Sequence, residues 1–247
     1  MTGNKMRNTT AMTKPLLLVS ESMRNADMYY ATRFLASDPF MYLHRPHEDN
    51  LLIVSQMEYE RARKESRVKE IRSSLEYGYD LKMEELIFTV LREEGIHAIE
   101  VPGYFPLYLA EAVLGEGIDV VPVEDVIMTR EREVKNEQEI TAIQKAQRAC
   151  ETAMARALTI ITHATVNGEF LMEHGEHLTS ERIKADIEHA LIDSGCALDS
   201  GEPIVACGAA AADPHCTGQG PLLANEPIII DIFPRLKVER YCADMAL

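Results

Sequence analysis

The stretch Ile228-Ile229-Ile230-Asp231-Ile232-Phe233-Pro234-Arg235 places a carboxylate inside one of the most apolar segments of the chain. The segment Tyr241-Cys242-Ala243-Asp244-Met245 repeats the pattern, with its acid thirteen residues later. Burying an unpaired carboxylate costs several kcal/mol, so each acid needs a positive partner. A turn through residues 234–237 would join the two segments into a hairpin. We therefore expect Asp231 and Asp244 on adjacent antiparallel strands, with their carboxylates on the same side.

Two carboxylates that face the same point cannot both stay ionised without a nearby cation. A divalent metal ion, or a pair of them, is one such cation, because oxygen ligands suit hard and borderline metals. A salt bridge to Arg235, Lys237 or Arg240 is the other, since structural ion pairs also hold acids in sheets. The spacing of the residues leaves both explanations open.

A loop with the sequence Asp213-Pro214-His215-Cys216-Thr217-Gly218-Gln219-Gly220 precedes the acidic segments. Its proline and glycines disfavour regular structure, and it follows a predicted strand of small residues at 203–206. An imidazole in this place can donate to or accept from a bound carbonyl, so His215 is a candidate catalytic residue at the mouth of the same cleft. The alternative is an ordinary surface histidine. His174 and His177 lie in a glycine-containing connector and are predicted to be exposed to solvent.

The first half of the chain has the pattern of an open α/β sheet covered by helices. Apolar residues at helical spacing predict one helix around residues 83–91 and another around 107–114, before the break Gly115-Glu116-Gly117. The highly charged stretch 58–72 is predicted to be a solvated helix. The candidate strands are residues 16–19, 51–54, 98–101 and 120–123.

The second half begins with a long helix, whose apolar positions run along one face from Ile140 to Ile161. A second helix is predicted to begin at Thr179-Ser180-Glu181, where hydroxyls can cap free amides, and to end at Gly195. Strand-like segments follow at residues 203–206, 227–233 and 240–245.

A polar bridge separates the two halves, and we place the domain boundary near Lys135. Residues 126–136 have no apolar period and are predicted to be a linker. The sequence therefore predicts an amino-terminal α/β domain over residues 15–125 and a second domain over residues 137–247. Each domain is expected to have its own core.

Composition limits the classes of function. The 247 residues include 40 acidic and 25 basic side chains, and the resulting net charge of −15 argues against binding to nucleic acid. No stretch approaches the roughly 18 apolar residues that span a bilayer, and the first seven residues lack the apolar core of a signal peptide. We expect a cytoplasmic protein that does not bind membranes. The five cysteines are odd in number and contain no C-x-x-C pair, which predicts reduced thiols.

Three features together resemble one metallopeptidase family: Pro214-His215, the strand that ends in Asp231-Ile232-Phe233-Pro234-Arg235, and the segment around Asp244. The family contains Xaa-Pro aminopeptidases, prolidases, methionine aminopeptidases and creatinase, and the bacterial Xaa-Pro peptidases are the most similar group. Residues 132–140 resemble the start of their catalytic domain, and residues 15–125 resemble their amino-terminal domain. The resemblance implies an α/β fold: a small creatinase-like α/β domain followed by the first half of a pita-bread (α+β) metallopeptidase domain.

The resemblance also implies a chemistry. In the family, the acid that matches Asp231 chelates one metal ion, and the acid that matches Asp244 bridges two. The histidine that matches His215 contacts the substrate near the scissile carbonyl. Two divalent ions of manganese, cobalt or zinc activate a water for the attack on the peptide bond. The implied function is a metal-dependent aminopeptidase or dipeptidase of the Xaa-Pro type, with a peptide substrate and with a homodimer as a further expectation.

The chain departs from the family pattern after Asp244. The family site takes five ligands, and its histidine and two glutamates follow the bridging aspartate, whereas this sequence ends three residues later. We therefore expect a carboxy-terminally truncated chain that binds metal weakly or not at all and is inactive alone. The alternative function is a non-catalytic protein of the same fold that binds peptides or partner proteins.

Overall fold

The computed structural model of the protein describes residues 14–124, 126–198 and 201–247. It divides the chain into two compact units, one ending at Val134 and one running from Lys135 to Leu247. The first seven residues, which are predicted to lack a signal peptide, and residue 125, the predicted end of the first domain, lie outside the described residues. Each unit is described by itself below.

A six-stranded mixed sheet forms the first unit. Its strands are β1 (Leu16–Ser20), β2 (Phe40–His44), β3 (Leu51–Val54), β4 (Glu70–Ser73), β5 (Ala98–Pro102) and β6 (Asp119–Val123). They lie in the order β4-β3-β2-β1-β5-β6. The β1–β2 and β2–β3 pairs are antiparallel, and the other pairs are parallel. The four predicted strands are present, whereas β2 and β4 were missed.

Five helices among the described residues cover the two faces of this sheet. They are α1 (Ala26–Thr32), α2 (Gln56–Glu65), α3 (Met83–Glu93), α4 (Leu107–Gly115) and α5 (Ile127–Glu133). Successive side chains of a strand point to opposite faces. Leu17 and Val19 of β1 therefore pack in one core with α3 and α4, while Leu16 and Leu18 pack in another with α1 and α5. The predicted helices around residues 83–91 and 107–114 correspond to α3 and α4.

The prediction of one solvated helix over residues 58–72 was wrong in its second half. Helix α2 ends at Glu65, and β4 then pairs in parallel with β3. The charged residues of this stretch fit in a strand because they find partners. Arg72 on β4 pairs with Glu94 at 2.9 Å, and the buried Arg45 pairs with the same carboxylate. Charge density therefore gave no measure of solvent exposure here.

The stretch predicted to be a linker contains helix α5. Its Met128 is buried in the core that also contains α1. Polar contacts add to this packing, because Thr129 Oγ1 donates to Asp27 Oδ1 at 3.1 Å and Arg132 pairs with the same carboxylate. The apolar residues that hold α5 are the consecutive residues Val126, Ile127 and Met128 at its start, which is too short a run to produce an apolar period in the sequence.

Two packed helices and short strands form the second unit. The helices are α6 (Glu137–His163) and α7 (Ser180–Asp193), and the strands are β7 (Thr165–Asn167), β8 (Phe170–Glu173), β9 (Glu176–His177), β10 (Cys196–Ala197), β11 (Ile204–Cys207), β12 (Ile228–Ile232), β13 (Arg235–Leu236) and β14 (Met245–Ala246). Strands β11, β12 and β14 form an antiparallel sheet in that order, β7, β8 and β9 form a meander, and β10 pairs with β13.

The second core lies between α6, α7 and the sheet. Small residues on α6, such as Ala146 and Ala153, allow α7 to approach with Ile183 and Ile187. The predicted start of α7 is confirmed, because Thr179 Oγ1 accepts from the amide of the third following residue at 3.2 Å. The predicted apolar face of α6 was wrong at its first position, since Ile140 is 45% exposed.

Two further features of the second unit bear on the sequence predictions. His174 and His177 lie exposed in the β8–β9 hairpin, as predicted. The strand predicted over residues 240–245 is wrong in extent, because regular pairing is limited to Met245–Ala246. Within the part of the chain that the structure describes, no helix is both long and apolar enough to cross a membrane.

Candidate metal centre

The candidate centre is carried by a hairpin that runs from β12 to β14. Register places Asp231 opposite Ala246 in antiparallel pairing. The Ile230 amide donates to the Leu247 carbonyl at 3.0 Å, and the Leu247 amide donates back at 2.9 Å. Further along the hairpin, Ala243 donates to the Pro234 carbonyl at 3.0 Å, so the two segments stay side by side beyond the regular strands.

Asp231 and Asp244 face each other across this hairpin. Asp244 directly precedes β14, whose Ala246 is the register partner of Asp231, so the hairpin brings the two acids close together. Burial raises the pKa of the Asp231 carboxyl, and the charge of Asp244 and a hydrogen bond between the two carboxyl groups raise it further. Asp244 itself is exposed. The structure thus brings together the two acids that the sequence singled out.

One carboxylate oxygen of this pair lacks a partner within the described residues. Asp231 Oδ1 is buried and has no hydrogen-bond partner there, and burial together with Asp244 raises the pKa of its carboxyl group. An unpartnered carboxylate oxygen beside a second carboxylate suits a hard or borderline divalent cation.

Helix α6 holds the hairpin from behind. The Cys150 thiol donates to the carbonyl of Ile232 at 3.2 Å. Burial raises the pKa of this thiol to about 11, and the charges of the two nearby aspartates contribute. The Tyr241 hydroxyl donates to Glu139 Oε1 at 2.7 Å, and Glu139 is buried. Sequence reasoning missed Glu139 and Tyr241. The only signal in the sequence was the position of Glu139, an acid in the first turn of a helix.

His215 lies in a turn after a short 3₁₀ helix, Gly208–Ala212. Its backbone amide donates to Asp213 Oδ1 at 2.9 Å, and its side chain is exposed. Among the described residues, no hydrogen bond links the imidazole to Asp231 or Asp244. The structure therefore places His215 in the predicted loop, without a described hydrogen bond to either aspartate.

The carboxy-terminal end of this loop, at Gly218, is held by close packing and by a hydrogen bond. Gly218 has a φ of +79°, and a Cβ at this position would lie 1.8 Å from the Val205 carbonyl oxygen, so only glycine fits. Lys184 is buried on α7 and donates to the Gly218 carbonyl at 2.9 Å, while it pairs with Glu202 at 3.2 Å. Sequence reasoning missed Lys184, which is adjacent to the apolar stripe of α7.

Two carboxylates are a partial metal site. Within the described residues, no group of three or more histidine, cysteine, aspartate or glutamate side chains is arranged to hold a metal ion. All five cysteines are free thiols. The chemistry of Asp231 and Asp244 fits a divalent cation, and these two residues would hold it.

Comparison with known families places these residues in context. Residues 16–141 match the creatinase/prolidase N-terminal domain, and residues 141–247 match metallopeptidase family M24. The creatinase/prolidase N-terminal model covers just over half of the chain, so the chain belongs to that family, and its second half matches the M24 metallopeptidases. This family consists of hydrolases that use divalent metals and includes the Xaa-Pro peptidases. The predicted fold class, a creatinase-like α/β domain followed by part of a pita-bread domain, is confirmed. A sequence comparison with curated proteins finds no match.

Solved structures agree with this fold. The prolidase from Pyrococcus horikoshii OT3 is 21% identical with a TM-score of 0.71, and the match covers 94% of this chain and 59% of that one. The prolidase from Pyrococcus furiosus is 19% identical with a TM-score of 0.72, covering 94% and 64%. The Xaa-Pro dipeptidase from Bacillus anthracis is 17% identical with a TM-score of 0.73, covering 94% and 59%. The chain thus spans 59 to 64% of the length of these structures.

Proposed function

We propose that this M24 chain is a metal-dependent aminopeptidase or dipeptidase of the Xaa-Pro type, which hydrolyses a peptide bond with water activated at a dinuclear metal centre. The observation that carries the proposal is Asp231, whose buried Oδ1 has no described hydrogen-bond partner and whose carboxyl group faces Asp244. Holding a partly buried carboxylate beside a second one costs free energy, and binding a divalent metal in a peptidase would explain why the chain keeps both acids there.

Three residues carry the proposed chemistry. Asp231 and Asp244 would hold the metal, and the imidazole of His215 would donate to the carbonyl of the bound peptide. A bound divalent ion supplies a water of lowered pKa and polarises the scissile carbonyl. His215 is exposed on a loop whose far end is fixed at Gly218, so its ring is accessible to a substrate.

Activity requires more metal ligands than the described residues bring together. Divalent ions of this class take four to eight ligands, whereas Asp231 and Asp244 provide two groups. We infer weak binding of manganese, cobalt or zinc and no turnover by this chain alone. A peptide substrate, a cytoplasmic location and association into a homodimer complete the proposal.

Metal titration of the whole chain tests the role of the aspartates. Calorimetry with Mn²⁺ should give weak binding, and Asp231→Asn and Asp244→Asn should each abolish it. Asp193→Asn is the matched control, because that carboxylate is 79% exposed at the end of α7. An Xaa-Pro dipeptide with Mn²⁺ or Co²⁺ should show no turnover. Binding that survives both substitutions would remove the aspartates from the site, and turnover by the chain would refute its incompleteness.

A non-catalytic protein of the same fold, which binds peptides or partner proteins, is the second candidate. The two functions differ in what the gene encodes after codon 247. A reading frame that continues with a histidine and two glutamates in strand contexts supports the peptidase. A frame without them supports a protein that binds peptides or partners.

A further inference from the structure

A pocket of about 400 Å³ opens in the second unit. It lies between the carboxy-terminal half of α7, strand β10 and the turn after β13. Its apolar lining includes Leu191, Cys196 and Leu198, and also Ile192, whose side chain is 56% exposed. The described residues that line the pocket include none of the three candidate residues of the metal centre. The pocket volume is in the range of small-molecule sites, roughly 300 to 1,000 Å³.

Two unpaired charges of opposite sign flank this apolar surface. Glu188 on α7 and Lys237 on the turn after β13 both line the pocket, together with Glu202, whose charge is already paired with Lys184 at 3.2 Å. Neither side chain forms a hydrogen bond or ion pair with another described residue. Glu188 is half-buried, so its carboxylate loses part of its hydration without a partner in return.

The lack of a partner is unusual on this helix. The other acidic side chains of α7, and its arginine and lysine, are all paired: Glu181 with the Gly220 amide at 3.0 Å, Arg182 with Glu173 at 3.0 Å, Lys184 with Glu202 at 3.2 Å, Asp186 with Arg156 at 3.2 Å, and Asp193 with Arg156 at 3.9 Å. The side chain without a partner is the one that faces the pocket.

The charge pattern selects the ligand. A purely anionic ligand would meet Glu188, and a purely cationic one would meet Lys237, so each would be repelled at one side. We propose that this pocket binds a zwitterion with an apolar body, namely an α-amino acid or dipeptide with free termini. Its ammonium group pairs with Glu188, its carboxylate pairs with Lys237, and its side chain covers Ile192 and Leu198. Both ion pairs are charge-assisted hydrogen bonds at the edge of an apolar surface.

One lining residue of the pocket, Lys237, belongs to the same hairpin as the two aspartates of the candidate metal centre. Lys237 lies in the hairpin between Asp231 and Asp244, so a ligand held by Glu188 and Lys237 joins α7 to that hairpin. Free amino acids and dipeptides are also what an Xaa-Pro peptidase releases and consumes. The relation of the ligand to peptidase substrates and products rests on the proposed function. The recognition of a zwitterion by the pocket does not.

Ligand titration of the metal-free whole chain tests the proposal. L-leucine is the probe, and binding is followed by backbone amide NMR shifts in residues 188–198 and 237. L-leucinamide lacks the carboxylate and N-acetyl-L-leucine lacks the ammonium, and each should bind about tenfold more weakly or worse. Glu188→Gln and Lys237→Met should weaken L-leucine binding by a similar factor. Glu176→Gln removes an exposed acid on β9 and should leave the affinity unchanged.

Asp244→Asn separates this site from the metal centre. L-leucine binding should persist in that variant even where Mn²⁺ binding is lost, and a failed Mn²⁺ titration leaves the pocket result intact. Loss of L-leucine binding in Asp244→Asn would move the amino acid to the metal centre and overturn the proposal. Absence of L-leucine binding, equal affinity for the blocked analogues, or unchanged affinity in both pocket variants would also overturn it.

Discussion

Replacement of Asp231 by asparagine is expected to stabilise the second unit at neutral pH while it destroys metal binding. Asparagine keeps the shape of the side chain and removes its charge. In the native protein, that charge is partly buried, its Oδ1 has no described partner, and Asp244 repels it. Leaving a buried polar atom unsatisfied costs about 1 to 3 kcal/mol. Because the Asp231 side chain keeps some contact with water, we expect a gain in the free energy of unfolding near the lower limit, about 1 kcal/mol at pH 7.

The expected gain depends on pH with a definite sign. Burial and Asp244 raise the pKa of Asp231 in the folded state, so the native protein binds the proton more tightly than the unfolded chain does. The wild-type protein therefore has its full stability below the ordinary carboxyl pKa and loses stability as pH rises through the raised value. Asp231→Asn has no such loss, so the difference between the two proteins should be absent at low pH and fully developed at pH 7.

Hydrogen exchange at the hairpin measures this effect locally. The amides of Ile230 and Leu247 donate to each other's carbonyls, so their protection reports the opening of the hairpin. A local probe is needed because a chain of two units need not unfold in one step. Asp193→Asn, which removes an exposed carboxylate, is the control. Lower protection in Asp231→Asn at pH 7, or a difference that does not change with pH, would refute the reasoning.

Three further substitutions test the support of the site. Gly218→Ala places a Cβ 1.8 Å from the Val205 carbonyl oxygen at a positive φ, so it should cost about 3 kcal/mol or more and appear as a large fall in the melting temperature. Tyr241→Phe removes the 2.7 Å hydrogen bond to Glu139, so urea unfolding should show a free energy of unfolding lower by about 1.5 kcal/mol. An unchanged free energy of unfolding would contradict the stabilising role of this hydrogen bond. Asn136→Ala removes the side-chain oxygen that caps α6 at 3.0 Å and should cost about 1 kcal/mol; an unchanged urea midpoint would contradict this role of the cap.

Periodic apolar residues predicted most of the fold. Strands such as β1 and β12 and helices such as α3 and α7 bury a regular pattern, which the sequence displays directly. The missed or wrong elements lack such a pattern. Strand β4 contains Glu70 and Arg72, whose charges are paired with Arg45 and Glu94 through tertiary contacts that no local rule reports. Helix α5 is held by Met128 and by contacts to Asp27, which is distant in sequence.

The two acids of the candidate centre were predictable for a physical reason. A carboxylate in an apolar strand is expensive, so Asp231 stands out without structural information. Residues that act through distant partners do not stand out. Lys184 and Glu139 are ordinary charged residues in the sequence, and their burial follows only once α7 meets Gly218 and α6 meets Tyr241. His215 was placed correctly in a loop, but its role remains a prediction because that loop is held at Gly218 and not at the ring.

The contacts behind the hairpin explain how two repelling acids stay together. Helix α6 provides the Cys150 hydrogen bond to Ile232 and the contact between Glu139 and Tyr241. Hydrogen bonds of this kind contribute about 0.5 to 3 kcal/mol each, the range of the cost of one unsatisfied carboxylate oxygen. Lys145 also pairs with Glu239 at 2.8 Å, but at an exposed position where an ion pair adds little. These two buried hydrogen bonds can therefore offset the repulsion without a metal ion, so removal of divalent metal should leave the hairpin folded. Removal of the Tyr241 hydrogen bond should instead open the hairpin, first where Asp231 and Asp244 meet.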